Sequence, residues 1–367
     1  VFDQPAFPIP SRSQPGPTKN KLSTKAVVIC LALAATISAA ALIYANILAQ
    51  RYGLPPVRIS ESIGLGGLIL IFSFPFWILR RLLHHYRSGQ PNPAALIRDD
   101  ILKNKFHFFM SLCIYVILFY AFASYTTIKV LIPSVMDFYF DIDARYLEYK
   151  IFGNDLVYYT HKFVGTYPTL AVEWFYSLWH VVNIYTAMWV IFSKNYVLKL
   201  RALITMLMSW IFLGSVMAIA LSSVGPILFD HFYGGTAFAP LLDRLARLSE
   251  YGIGATMKAR QFLLDNYGTL RLGSGISAMP SLHVGMAFLW FLMVPREYPG
   301  IRYLALAYFA VILFGSVHLG WHWLSDGIVS VVFVFGFWNL AGWIVQTANG
   351  NSSYARKSRA IAADRPG

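Results

Sequence analysis

The chain has 367 residues, of which 57% are hydrophobic, 16% aromatic and 13% charged, and its net charge is +13. Soluble domains carry about 25% charged residues, so a pair of water-soluble domains is excluded. The positive charge falls between apolar blocks and not on one face, which sets aside nucleic acid as the partner. Two cysteines, Cys30 and Cys113, both lie inside apolar blocks; they are too few for a disulfide framework and lack metal-ligand spacing.

Residues 1–24 are rich in Pro, Ser and Lys and read as a disordered basic tail with no cleaved-signal pattern. Apolar blocks then follow at 26–49, 62–83, 106–129, 169–193, 201–222, 281–295, 300–320 and 322–346. A run of about 18 residues without charge is enough to cross a hydrocarbon core of about 30 Å as a helix. The expected fold is therefore all-α, a polytopic membrane bundle of about eight transmembrane helices. Two N-terminal helices occupy 25–105, a six-helix membrane unit 106–346, and a basic tail 347–367.

Basic residues fix the orientation. Lys19, Lys21 and Lys25 precede the first block, and Arg80, Arg81, Arg87, Arg98, Lys103 and Lys105 follow the second. Lys194, Lys199 and Arg201 follow the fourth, Arg296 and Arg302 the sixth, and Arg356, Lys357 and Arg359 the last. All fall on one side of an eight-span chain, which places both termini in the cytoplasm. The sequon Asn351-Ser352-Ser353 falls on that side and is expected to stay unmodified. Two long connections, 130–168 and 223–280, lie on the opposite, non-cytoplasmic side. Within the first, Asp143 to Phe152 reads as an amphipathic stretch lying on the membrane surface.

The sixth block is short: Ser281 to Val294 covers about 21 Å at helical rise, less than the hydrocarbon thickness. Its outer end would stop inside the membrane, where irregular backbone must meet protein or a watery cavity. Pro280-Ser281-Leu282-His283 stands at that end. Proline favours a helix start and the free first-turn N–H groups attract anions, so His283 is placed to bind a phosphate or protonate a leaving oxygen. The alternative is a histidine that only lines a helix contact. His322 and Asp326 have i,i+4 spacing, which puts them on one helix face with the carboxylate orienting the imidazole. A purely structural pair at a helix end is the other reading. His318 either lines the same cavity or caps a turn. Glu173 and His180 share a face about 10.5 Å apart along their helix, as site residues or as helix-to-helix bonds.

Met279-Pro280-Ser281-Leu282-His283 followed by His322-x-x-x-Asp326 resembles the second and third signature motifs of the type-2 phosphatidic acid phosphatase superfamily. The strings Ser277 to His283 and Leu319-Gly320-Trp321-His322 look most like its branch containing the fungal inositol phosphorylceramide synthases. Phe152-Gly153, Glu173-x-x-Tyr176-x-x-x-His180 and Gly225-Pro226 are fainter likenesses. The resemblance implies a six-helix phosphatase-like core and a phosphotransferase or phosphatase that needs no metal and no cofactor. Its substrate would be a membrane lipid of phospholipid, ceramide or polyprenyl type. His322 would be the nucleophile, Asp326 its orienting carboxylate and His283 the acid that protonates the leaving oxygen.

The chain departs from the phosphatase pattern. It has no Lys-x6-Arg-Pro motif, and Ser316 stands six residues before His322, where the phosphatases have arginine. Transferred phosphoryl groups still need positive charge nearby. Lys258, Arg260 and Arg271 are the candidates, Arg271 being nearest the motif, helped by the N–H groups of Ser281 and Leu282; each basic residue is equally explained as a solvated loop charge. Two other readings are a metal-dependent enzyme using His283, His318, His322 and Asp326, and a transporter or lipid scaffold.

Overall fold

The computed structural model describes residues 22–54, 78–79, 82–83, 86–89, 93–269, 271 and 273–350. Every regular element among them is helical. Most of the expected second span at 62–83, nearly all of the tail at 1–24, most of the tail at 347–367 and the sequon lie outside the described residues.

The elements are α1 (Thr24–Arg51), α2 (Pro93–Lys103), α3 (Lys105–Val135), α4 (Phe140–Phe152), α5 (Leu156–Phe163), α6 (Thr166–Ser177) and α7 (Trp179–Phe192). They continue with α8 (Tyr196–Met208, extended by a π-helical stretch Ser209–Met217), α9 (Pro226–Tyr233), α10 (Ala239–Ser249) and α11 (Ala255–Asp265). The last are α12 (Leu282–Glu297), α13 (Arg302–His318) and α14 (Leu324–Ala348). Six segments are long and apolar enough to cross a membrane: Thr24–Arg51, Lys105–Val135, Thr166–Phe192, Tyr196–Ala220, Pro299–His318 and Leu324–Ala348. The chain is thus a multi-pass membrane protein whose spans fall close to the apolar blocks. α12 has 16 residues, about 24 Å of helix, and keeps the shortness its sequence announced.

Lipid offers the backbone no partners, so each crossing must close its hydrogen bonds internally, and helices are the outcome. Packing follows side-chain size. α1 buries Ala26, Cys30, Ala34, Ser38, Ala41, Ala45 and Ala49, a stripe of small residues that lets it lie closely on α3, where Ser38 Oγ donates to Ile117 O at 2.9 Å. Its bulky residues Val28, Ile43 and Ile47 face outward. The segment Tyr196–Ala220 is 67% buried against 28–39% for the other spans, which makes it the central helix. It contacts α1, α3, α7, α12 and α14.

The connection between α3 and α6 carries α4 and α5, and that between α8 and α12 carries α9, α10 and α11. α4 is amphipathic with its faces reversed from those of a soluble helix. It buries Asp141, Ala144 and Glu148 and exposes Ile142, Tyr146, Leu147, Tyr149, Ile151 and Phe152. The apolar side is left for lipid and the acidic side turns into the protein, onto the loops described next.

Candidate active site

Three loops converge beneath α4: residues 222–226 after α8, 273–281 before α12, and 319–323 before α14. They are tied to one another by main-chain bonds. Ala278 N donates to Ser223 O at 2.9 Å, Met279 N to Ser223 Oγ at 2.8 Å, and Ile227 N to Gly320 O at 2.8 Å. Gly225 has φ +80°, and a Cβ there would sit 2.4 Å from Trp321 O, so only glycine permits this approach.

Asp141 is the knot of the assembly. Fully buried, it accepts hydrogen bonds from Val224 N (2.8 Å), Gly225 N (2.7 Å), Tyr233 OH (3.0 Å) and Trp323 Nε1 (2.8 Å). Glu148, about two turns further along the same face of α4, accepts from Leu324 N at 2.6 Å and so caps the first turn of α14. Burial raises the Asp141 carboxyl above its ordinary range against the pull of those four donors. Burial likewise lifts Glu148 to about 7, opposed by the N–H groups of Leu324 and Leu156 and reinforced by the neighbouring Asp326 and Asp155. The sequence reading put Glu148 in a stretch on the membrane surface and singled out neither acid. The signal that could have found them is the seven-residue spacing of Asp141 and Glu148, which puts both acids with Ala144 on one helix face opposite the apolar residues.

On this frame the two histidines come together. The rings of His283 and His322, from the starts of different helices, lie with centroids 5.7 Å apart. His322 is not on the helix, as the i,i+4 spacing led one to expect, but in the turn before α14, whose cap is Trp323. The contact with Asp326 survives because a side chain in the first helical turn reaches back to the residues preceding it. Asp326 Oδ2 accepts from Trp323 N at 3.1 Å and stands 3.4 Å from His322 Nδ1. Nδ1 is closer to the carbonyl of Ala278, at 2.8 Å, so that carbonyl takes the N–H and the carboxylate supplies charge beside it. Among the described residues Nε2 has no partner. His322 N donates to Ser316 O at 3.0 Å, which fixes the ring's origin.

His283 opens α12 with its ring between Tyr176 (4.9 Å, nearly parallel) and Trp179 (4.1 Å), and His180 stands edge-on at 6.2 Å. Trp179 Nε1 also donates to His283 O at 2.9 Å. Gly214 admits this helix start, since a Cβ there would meet Leu282 Cδ1 and Tyr125 Cε2 at 2.6 Å. Ser281 caps α12 by accepting from Val284 N at 3.3 Å, and its own N–H goes to Asp326 O at 3.2 Å, so it links the two helix starts. The N–H groups of Leu282 and His283 remain without partners among the described residues.

The other sequence candidates lie elsewhere. Glu173 accepts from Thr256 N at 2.8 Å and caps α11. His318 is fully buried, with Nε2 2.9 Å from Thr169 Oγ1 and its ring stacked on His161 at 4.1 Å. Lys258 Nζ donates to Ile253 O at 2.8 Å, Arg260 Nε to Ile227 O at 2.9 Å, and Arg271 Nη1 to Asn266 Oδ1 at 3.2 Å while lying over Phe262. None of these three cations bonds to His283, His322 or Asp326. With His318 turned to Thr169, the metal-ligand alternative loses a member of its set, and among the described residues no three His, Cys, Asp or Glu side chains converge as ligands. Beside the histidines an apolar cavity of about 140 Å³ opens between α3, α7 and α8, lined by Tyr115, Phe122, Trp179, His180, Asn183 and Trp210 among others.

Residues 158–340 match the sequence model of the PAP2 superfamily. No curated protein and no solved structure matches the chain. The matched segment runs from α5 into α14 and holds His283, His322 and Asp326, while the clasp of α4 precedes it.

Proposed function

We propose that the PAP2 superfamily domain over residues 158–340 makes this chain a membrane-embedded phosphoryl-transfer enzyme acting on a lipid phosphate or phosphodiester through a phosphohistidine. One observation carries the reading: two imidazoles from separate helix starts face each other at 5.7 Å, one of them held at Nδ1 and free at Nε2. The Nε2 lone pair of His322 attacks phosphorus, and the bond from phosphorus to the leaving oxygen breaks as His283 gives that oxygen a proton. His283 then takes a proton from the second acceptor, whose oxygen attacks phosphorus and releases His322. Asp326 and the Ala278 carbonyl stabilise the ring while it carries the phosphoryl group. The free N–H groups of Leu282 and His283 serve the developing charge on the phosphoryl oxygens.

The apolar cavity supports a lipid as the donor, because Trp179 and His180 are shared between it and the histidine site. The likeness of the 277–283 and 319–322 strings to the inositol phosphorylceramide synthases supports phosphoalcohol transfer from one lipid to another, with an alcohol in place of water as the acceptor. Ser316 in place of the phosphatase arginine supports the same choice; its hydroxyl is spent on Leu313 O at 2.7 Å. The basic-residue pattern supports a non-cytoplasmic site within a catalytic unit at 106–346.

The test is phosphate release and headgroup exchange from lipid substrates by purified protein, with and without polyol acceptors. His322→Ala and Asp326→Ala are expected to lose turnover by about 10³-fold or more with little change in melting temperature. Full activity in either folded variant overturns the assignment. Exchange that requires a polyol supports transfer, and release without one makes the chain a phosphatase.

A further inference from the structure

A phosphoryl group in transfer carries charge on its non-bridging oxygens, and a site sunk in a bilayer cannot borrow counter-ions from water. The cations expected from the 258–271 loop are engaged within their own loop region. A different lysine is placed at the site. Lys129 lies in α3, six residues before its end, and is half-buried. The loop leading to His283 packs directly on it: a Cβ on Gly275 would meet Lys129 Cγ and C at 2.8 Å. Its ammonium stands 5.9 Å from the ring centre of Tyr125, whose edge meets Trp210 and, through Gly214, the start of α12. Trp210 in turn meets Trp179, against which both His180 and His283 stand, so one run of aromatic rings leads from the lysine to the histidines. Among the described residues Lys129 makes no hydrogen bond and no ion pair.

A half-buried ammonium that has only the Tyr125 ring beside it is matched by an anion that visits it. The carboxylates nearest the histidines are otherwise committed: Asp326 to His322 and Trp323, Asp141 to its four donors, Glu148 to Leu324 and Leu156. A ligand is therefore the natural partner, and the histidines beside the lysine select a phosphate.

We propose that Lys129 is the phosphate-binding cation of this site, holding the non-bridging oxygens of the lipid phosphate, with His180 beside it, while His322 attacks. This rests on the phosphoryl-transfer reading and adds a residue from a helix outside the matched domain. It also supplies a cation to a chain that has no Lys-x6-Arg-Pro motif.

The full chain in nanodiscs provides the test. Inorganic phosphate is titrated against the melting midpoint of the wild type, Lys129→Met, Lys129→Gln, Lys129→Arg and His322→Ala, each compared with its own phosphate-free midpoint so that lower baseline stability does not mask binding. Phosphate is expected to raise the midpoint of the wild type, Lys129→Arg and His322→Ala, and not of the two neutral variants. In turnover of phosphatidic acid, kcat/KM of the neutral variants is expected to fall by about 100-fold, with at least about a tenth of wild-type activity kept by Lys129→Arg. Neutral variants that keep the phosphate shift and stay within about threefold of wild-type kcat/KM overturn the proposal. The phosphate shift is expected to shrink when the nanodiscs contain phosphatidic acid; an undiminished shift overturns the lipid assignment in favour of free phosphate. An active His322→Ala defeats the phosphohistidine reading and leaves the lysine to be judged by the phosphate shift alone.

Discussion

At the residue scale, Glu148 shows how one carboxylate joins stability to the site. Its ordinary value of 4.5 is raised to about 7 in the folded chain, chiefly by burial. The folded state therefore holds the proton more tightly than the unfolded one. That stability is fully present below about 4.5 and is lost as pH rises through about 7. Glu148→Gln cannot ionise, so its melting temperature, measured in detergent across this window, is expected to gain on the wild type as pH rises. Parallel curves would show that Glu148 does not titrate there. Asp141, also raised by burial, contributes a slope of the same sign. Gly225 makes the opposite kind of demand, on shape alone. Gly225→Ala would push a methyl against Trp321 O, one residue from His322, in a conformation that L side chains rarely adopt. It is expected to cost about 1–3 kcal/mol in thermal unfolding and to lower turnover.

At the element scale, the site is an agreement between helix starts. α12 and α14 begin side by side, Ser281 bonded to Asp326, and α4 clamps the loops around them. Asp141→Ala orphans four donors at once. At about 1–3 kcal/mol for a buried unsatisfied group, it is expected to destabilise the protein by at least about 3 kcal/mol and to abolish activity, read by melting and turnover together. The helices and the short α12 were legible in the sequence because apolar run length and Pro280 are local signals. His283, His322 and Asp326 were legible for the same reason, as tight local strings. Lys129, Asp141 and Glu148 were not. A lone lysine near the end of an apolar run reads as an interfacial anchor. Its contact with the loop leading to His283 exists only after Gly275, more than 140 positions away, folds back on α3. The loop cations Lys258, Arg260 and Arg271 drew attention by sequence proximity to His283, which the fold does not turn into contact.

At the scale of the whole molecule, the proposed phosphate site and the apolar cavity share walls. Ile184 lines the cavity on the turn of α7 below His180. Ile184→Trp is expected to fill it, raising KM for long-chain lipids while leaving kcat on short-chain substrates near the wild-type value. Equal effects on both chain lengths would separate the cavity from substrate binding. α4 adds a mechanical consequence. Its outward residues, Ile142, Tyr146, Tyr149 and Ile151, face whatever amphiphile surrounds the protein, and its inward carboxylates hold the Trp323 indole and the Leu324 N–H just after His322. On the proposed function, load placed on α4 by the surroundings passes to the loops that hold His322, so turnover is expected to change with bilayer thickness, read in vesicles of different acyl-chain length.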